Sequence, residues 1–159
     1  MTATLPLRAD VEQVFGVKNV AMWADVDNDA NAGTITARIT WAIAEAAREI
    51  NSRLSNIFAV EDWTTFPELV FSIVVRQAGV NLYRTPRGLV DGDQAQAGMG
   101  SIKLEIDAQI IRIIAGQLPL IDATNTPISV PFVNTHKSKI LAGSKDDYWN
   151  ALENIWSVG

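Results

Sequence analysis

No cysteine occurs anywhere in the chain, and there is a single histidine, His136. The first absence removes disulfides, thiolate metal centres and cysteine nucleophiles. The two together leave a zinc site without its usual several ligands. His136 stands in Asn134-Thr-His-Lys-Ser138, with no serine elbow or carboxylate pair beside it, so a catalytic triad has no support. Basic residues are in deficit: thirteen Lys and Arg against eighteen Asp and Glu give a net charge of −5, the opposite of a nucleic-acid-binding footprint. Long apolar runs are missing too. Leu69–Val75 and Ile110–Ala115 are short and interrupted by Ser72 and Arg112, well below the ~20 residues of a membrane span. The first eight residues lack a basic flank followed by a continuous apolar segment, which argues against a secretory signal.

Partial motifs fail on inspection. Asp25-x-Asp27-x-Asp29 has the spacing of half a calcium loop, but Ala30 takes the glycine position and Thr36 the place of the bidentate glutamate. Gly98-x-Gly100 lacks a third glycine, and no phosphate-loop pattern precedes Lys103. Asp146 and Asp147 suit the start of a helix. The expectation is therefore a protein that is not an enzyme, with no catalytic residues, no metal and no cofactor.

What is present is material for a core: 159 residues, 48% hydrophobic and 19% charged, enough for one globular domain with a short appendage. Val11–Phe15 reads as a short helix stopped by Gly16, with Val11, Val14 and Phe15 on one face. Val17–Ala24 adds another turn that carries Met22 and Trp23 inward, and the polar run Asp25–Asp29 follows as a loop. From about Thr34, Ile35, Ile39, Ile43, Ala46, Ile50, Leu54 and Ile57 step by three or four, the spacing of a buried helical stripe. Glu49 and Arg53 stand in the favourable i, i+4 order. Thr65-Phe-Pro-Glu68 opens a further helix to Tyr83 that is apolar nearly all round, with Gly79 as its weak point.

Residues 84–101 hold four glycines and read as a long loop, with Ser101–Ile106 alternating like one arm of a β-hairpin. Asp107 then caps a short helix, Ala108–Ala115. From Gln117 to Gly143 three prolines and no helical period predict an extended arm with an extended segment Ile128–Val133. Ser144-Lys-Asp-Asp147 caps a last helix whose Tyr148, Trp149, Leu152, Ile155 and Trp156 share a face. A helix of ~14 residues is marginal in water by itself. The fold expected is mainly α: a bundle of about four helices over residues 1–116 with a Gly-rich hairpin loop at 84–106, then an arm and docking helix over 117–159.

Trp23, Trp41 and Trp63 fit the core or a subunit contact. Trp149 and Trp156 lie seven apart, and aromatic anchors behind a long tether suit docking on another chain, with Ile128, Val130 and Phe132 of the arm as further contacts; the alternative is that the helix folds back onto its own domain.

The order of these features resembles the head-tail connector (adaptor) proteins of tailed bacteriophages. The similar parts are Ala9–Gly16, the alanine-rich Ala42–Leu54, Pro67–Arg76, and Tyr83-Arg-Thr-Pro-Arg-Gly88 opening a Gly-rich hairpin ahead of a short helix; the likeness covers about residues 9–116. The resemblance implies a structural virion protein at the neck, present in the host cytoplasm during assembly. Its copies would close into a ring of about twelve, a dodecamer. That ring would sit between the portal protein and a stopper or other neck or tail protein, with double-stranded DNA passing through the lumen without sequence-specific binding. An acidic wall suits such a channel, since each phosphate contact from Lys or Arg would add affinity and hinder sliding. Arg84 and Arg87 are the candidates for lumen or neighbour contact. The alternatives are another phage neck or capsid completion protein, or a small enzyme or regulatory domain in which the Gly-rich loop serves as a lid.

Overall fold

The computed structural model describes residues 3–84, 94–122, 124 and 126–128. These belong to the first compact unit of the chain, Met1–Ile128. The described residues are mainly helical, with five α-helices: α1 (Arg8–Phe15), α2 (Val17–Ala24), α3 (Ala32–Leu54), α4 (Glu68–Arg84) and α5 (Gln94–Ile114).

Gly16 separates α1 from α2 at φ +85°, a conformation that other residues rarely adopt, so two short helices form where one could have run on. Val11, Val20, Trp23 and Ala24 are buried there. Val14 and Met22, expected to point inward, are about half exposed. With only eight residues in each helix, one narrow stripe is enough to seat it, and the flanking apolar positions fall outside that stripe.

The loop into α3 is held by its own side chains. The Asp25 carboxylate accepts the N–H groups of Asp29 and Ala30, and Asp27 pairs with Arg38 at 2.9 Å. Asn31 caps α3 by accepting from the N–H groups of Gly33 and Thr34. In α3 the stripe Ile39, Ile43, Ala46, Ile50 and Leu54 is buried as expected, and small Ala42, Ala46 and Ala47 let α4 approach. Between α3 and α4, Trp63 is buried between Phe58 and Phe66.

α4 is the central helix, in contact with α1, α2, α3 and α5. Its burial on several sides covers Val70, Ile73, Val74, Val75, Ala78, Val80 and Leu82, which accounts for its near-uniform apolar character. Gly79 is no weak point: the Phe15 ring lies where a side chain at 79 would have to go.

The hairpin expected over 84–106 is overturned for residues 94–106, which are helical from Gln94 onward; residues 85–93, Arg87 among them, lie outside the described residues. α5 also absorbs the short helix read as starting at Asp107. The alternation of Ile102, Leu104 and Ile106 suggested a strand, but Ile106, Ile110 and Ile113 form a buried helical stripe while Leu104 and Ile111 are exposed on the opposite side. A helix with apolar residues on two faces reproduces strand-like alternation over six residues. The glycines are tolerated in the helix at a cost of ~1 kcal/mol each. A side chain at Gly98 would meet nothing within 4 Å. Gly98→Ala is accordingly expected to stabilise the fold by about 0.5–1 kcal/mol, read from the urea midpoint; a loss of stability would contradict this placement of the helix.

Ion pairs fix α5 on both flanks. Lys103 reaches Glu49 at 3.0 Å and Arg53 pairs with Asp107, so Glu49 and Arg53 each turn to α5 instead of to each other. On the other flank Arg76 of α4 binds Glu105 at 2.9 Å and Gln109 at 2.6 Å. Gln77, almost fully buried, donates to Glu49 and Asn81 and accepts from Lys103, which completes a polar seam among the three helices. Partial burial pushes the Asp107 carboxyl up, but the Arg53 hydrogen bond and the Lys103 and Arg53 charges outweigh it and hold it below its ordinary value of 3.8. A lowered folded-state value makes its contribution complete above about pH 4 and lost as pH falls through the folded value. Asp107→Asn is expected to cost about 0.5–1 kcal/mol at pH 7, with the difference from the parent shrinking as pH falls; chemical unfolding at pH 7 and at a series of lower pH values measures both.

After α5, Gly116 at φ +70° ends the helix, and the N–H groups of Gln117 and Leu118 return to the Arg112 carbonyl. The described residues among 117–128, expected to lead off an extended arm, turn back. The Ile128 N–H donates to the Leu120 carbonyl at 2.8 Å, Ile121 and Pro127 form an antiparallel bridge, and Leu120 is buried.

Candidate functional site

Among the described residues, no group of three or more His, Asp or Glu side chains is placed to hold a metal ion. The carboxylates of the Asp25–Asp29 loop are directed to backbone donors and to Arg38. No described helix is long and apolar enough to cross a membrane.

A concave surface among the described residues lies where the start of α4 meets residues 119–122 and Ile128. One groove of about 790 Å³ is lined by Thr65, Phe66, Leu69, Phe71, Pro119 and Ile121, with Glu68, Ser72 and Asp122 at its polar positions. A second of about 320 Å³ adjoins it through Thr65 and Asp122 and includes Trp63, Pro67 and Ile128. The loop wall is shaped by Asp122. Its Oδ1 accepts from the Thr124 hydroxyl at 2.7 Å, from the Thr124 N–H and from the Thr126 N–H. The Thr124 hydroxyl, then the Thr126 N–H, hold the Asp122 carboxyl below its usual range. An isolated parallel bridge between Thr4 and Thr65 ties the residues before α1 to the entry of α4. A groove with this mixture of aromatic, aliphatic and short polar side chains can accept an extended peptide or a helix edge; it has no nucleophile paired to a base.

Of the expected docking residues, Ile128 falls on this groove, half-buried. Val130, Phe132, Tyr148, Trp149, Leu152, Ile155 and Trp156 lie outside the described residues. Arg84 is exposed at the last position of α4, compatible with contact to a neighbour. Trp23 and Trp63 belong to the core, whereas Trp41 is half exposed on α3.

The structure adds apolar contact residues that the sequence reading passed over. Leu7, Val17, Leu104 and Ile111 are each more than half exposed, Leu104 and Ile111 on one face of α5. Leu104 was assigned to a hairpin arm, where its exposure had no meaning. The 3–4 spacing of Leu104, Ala108 and Ile111 carried the information. Compared with protein-family models, with curated proteins and with solved structures, the chain matches none of them.

Proposed function

We propose that this chain is a structural virion protein, a head-tail connector that forms a ring between the portal and the neck or tail and lines the DNA channel. The observation that carries the reading is the order and spacing of Ala9–Gly16, Ala42–Leu54, Pro67–Arg76 and Tyr83–Gly88, which resembles that of head-tail connectors, in a chain whose described residues are mainly helical. Exposed apolar side chains scattered singly are ordinary on a soluble protein; in this reading Leu7, Val17 and Trp41 are available for contact with neighbouring copies. The net charge of −5 suits a channel wall along which a duplex slides. In this reading Arg84 and Arg87 face the lumen or a neighbour, and the terminal segment with Trp149 and Trp156 docks on the portal or an adjacent subunit. No reaction is assigned to the protein.

The experiment is to mix the purified protein with isolated portal rings and image them by electron microscopy. An added tier of density with the portal's axis is expected. Portals that remain bare at saturating protein would contradict the proposal, and a small enzyme with a lid loop would give that result.

A further inference from the structure

We propose that the outward face of α5 pairs antiparallel with the same face of a second copy, so that the free protein is a two-fold dimer. The inference does not rest on the connector reading.

The face is a continuous seam. Leu104 is 72% exposed and Ile111 61% exposed, and Ser101, Ala108 and Ala115 between and beyond them are exposed as well. The steps along Ser101, Leu104, Ala108, Ile111 and Ala115 are three, four, three and four, the repeat that keeps one stripe of a helix facing a partner helix. The stripe lies opposite Ile106, Ile110 and Ile113, which pack into the bundle, so nothing in the fold of residues 8–114 requires Leu104 or Ile111 to be apolar. Single exposed hydrophobes are ordinary, but an aligned seam of them marks a contact surface. Side chains built at Gly98 or Gly100, just before the seam, would meet nothing within 4 Å, which leaves room for close approach.

Two features identify the occupant as another copy. The first is shape. Large residues alternate with small ones, and an antiparallel pair with its two-fold axis beside Ala108 sets Ile111 against Ala108 of the partner subunit and Leu104 against Ala115 of the partner subunit. Each large side chain then meets an alanine, and the helices can approach closely; a parallel pair would set alanine on alanine and leave gaps. The second is charge. Glu105 and Arg112 stand one heptad apart on the same edge of the seam. Antiparallel pairing brings Glu105 beside Arg112 of the partner subunit, twice by symmetry. Arg112 is exposed and makes no ion pair with a described residue. Glu105 binds Arg76 yet is 57% exposed, open to a second cation.

A contact of this kind is isologous, the same patch on both copies, and it keeps the seam out of water. One helix pair is a small interface, so the dimer is sought at high protein concentration.

Sedimentation equilibrium of the full chain at about 100 µM should give twice the chain mass. Ile111→Lys should abolish the dimer while keeping the helical circular dichroism, and Arg112→Glu should weaken it at least tenfold. Because the chain has no cysteine, Ala108→Cys gives a single reactive site, expected to join two chains through a short bis-maleimide; Ser52→Cys, exposed on α3, should not. A parent chain that is monomeric at this concentration overturns the proposal. So does a dimer that survives Ile111→Lys, or one in which Ala108→Cys links no more than Ser52→Cys. Residues 129–159 covering the face of their own chain would give the first result. None of these outcomes bears on whether the portal binds the protein.

Discussion

Gly79→Ala is expected to destabilise the bundle by about 2 kcal/mol, within the range for overpacking a filled core. Helix propensity alone predicts the opposite, since alanine gains ~1 kcal/mol over glycine in a helix interior. The sign is reversed by Phe15, whose ring overlaps the space that a Cβ at 79 needs. That ring has little freedom to move. It sits edge-on to Trp23 with centroids 5.6 Å apart, and Trp23 sits edge-on to Tyr83 at 5.5 Å; Tyr83 is one turn beyond Gly79 on α4. The alanine must displace an aromatic cluster that joins α1, α2 and α4. The pair of positions should therefore be strongly coupled. In a Phe15→Ala background, Gly79→Ala should be neutral or stabilising by up to about 1 kcal/mol. Urea unfolding of the two single variants and the double variant reads the coupling directly; additive effects would show that Phe15 is not what reserves the space.

The second large effect concerns attachment. Trp149→Ala with Trp156→Ala is expected to abolish binding to the portal or the adjacent subunit while the bundle of residues 8–114 keeps its circular dichroism. Buried aromatic anchors commonly cost ~2 kcal/mol or more on truncation, about thirtyfold in affinity each. If residues 129–143 form the tether that the sequence suggests, reach is no obstacle even after the described residues of 120–128 turn back. From Ile128 to Ser144, sixteen residues extend at most ~50 Å at ~3.3 Å each. Ser144–Ser157 serves in this account as a docking element, and loss of the whole bundle in the double variant would assign it to the core instead.

The parts of the fold that were legible are those where one periodicity dominates. Ile39 to Leu54 carries a single apolar stripe, and α3 is a long helix with that stripe buried. α4 showed its central position through apolar residues on all sides, and Gly16 marked the break after α1. Misreading set in where two signals overlapped. In α5 the buried stripe of Ile106, Ile110 and Ile113 and the exposed seam of Leu104 and Ile111 together imitate a strand, and Gly98 and Gly100 reinforced the impression of a loop. Local charge pairing misled in the same way: Glu49 and Arg53 are correctly spaced for each other, but Lys103 and Asp107 on α5 compete and win, which no local rule can report. The groove beside Thr65 and Asp122 was not legible, because it depends on the 119–128 loop returning to Leu120 through hydrogen bonds made by Asp122 and Ile128.

The central claim is that this chain is an assembly subunit of the virion neck, and cryo-electron microscopy of the native particle tests it most directly. The account predicts a ring of about twelve copies of the helical bundle, directly beneath the portal, with duplex DNA on its axis and the segment bearing Trp149 and Trp156 seated on a neighbouring chain. A neck whose density leaves no tier for this bundle, or particles that lack the chain altogether, would contradict it.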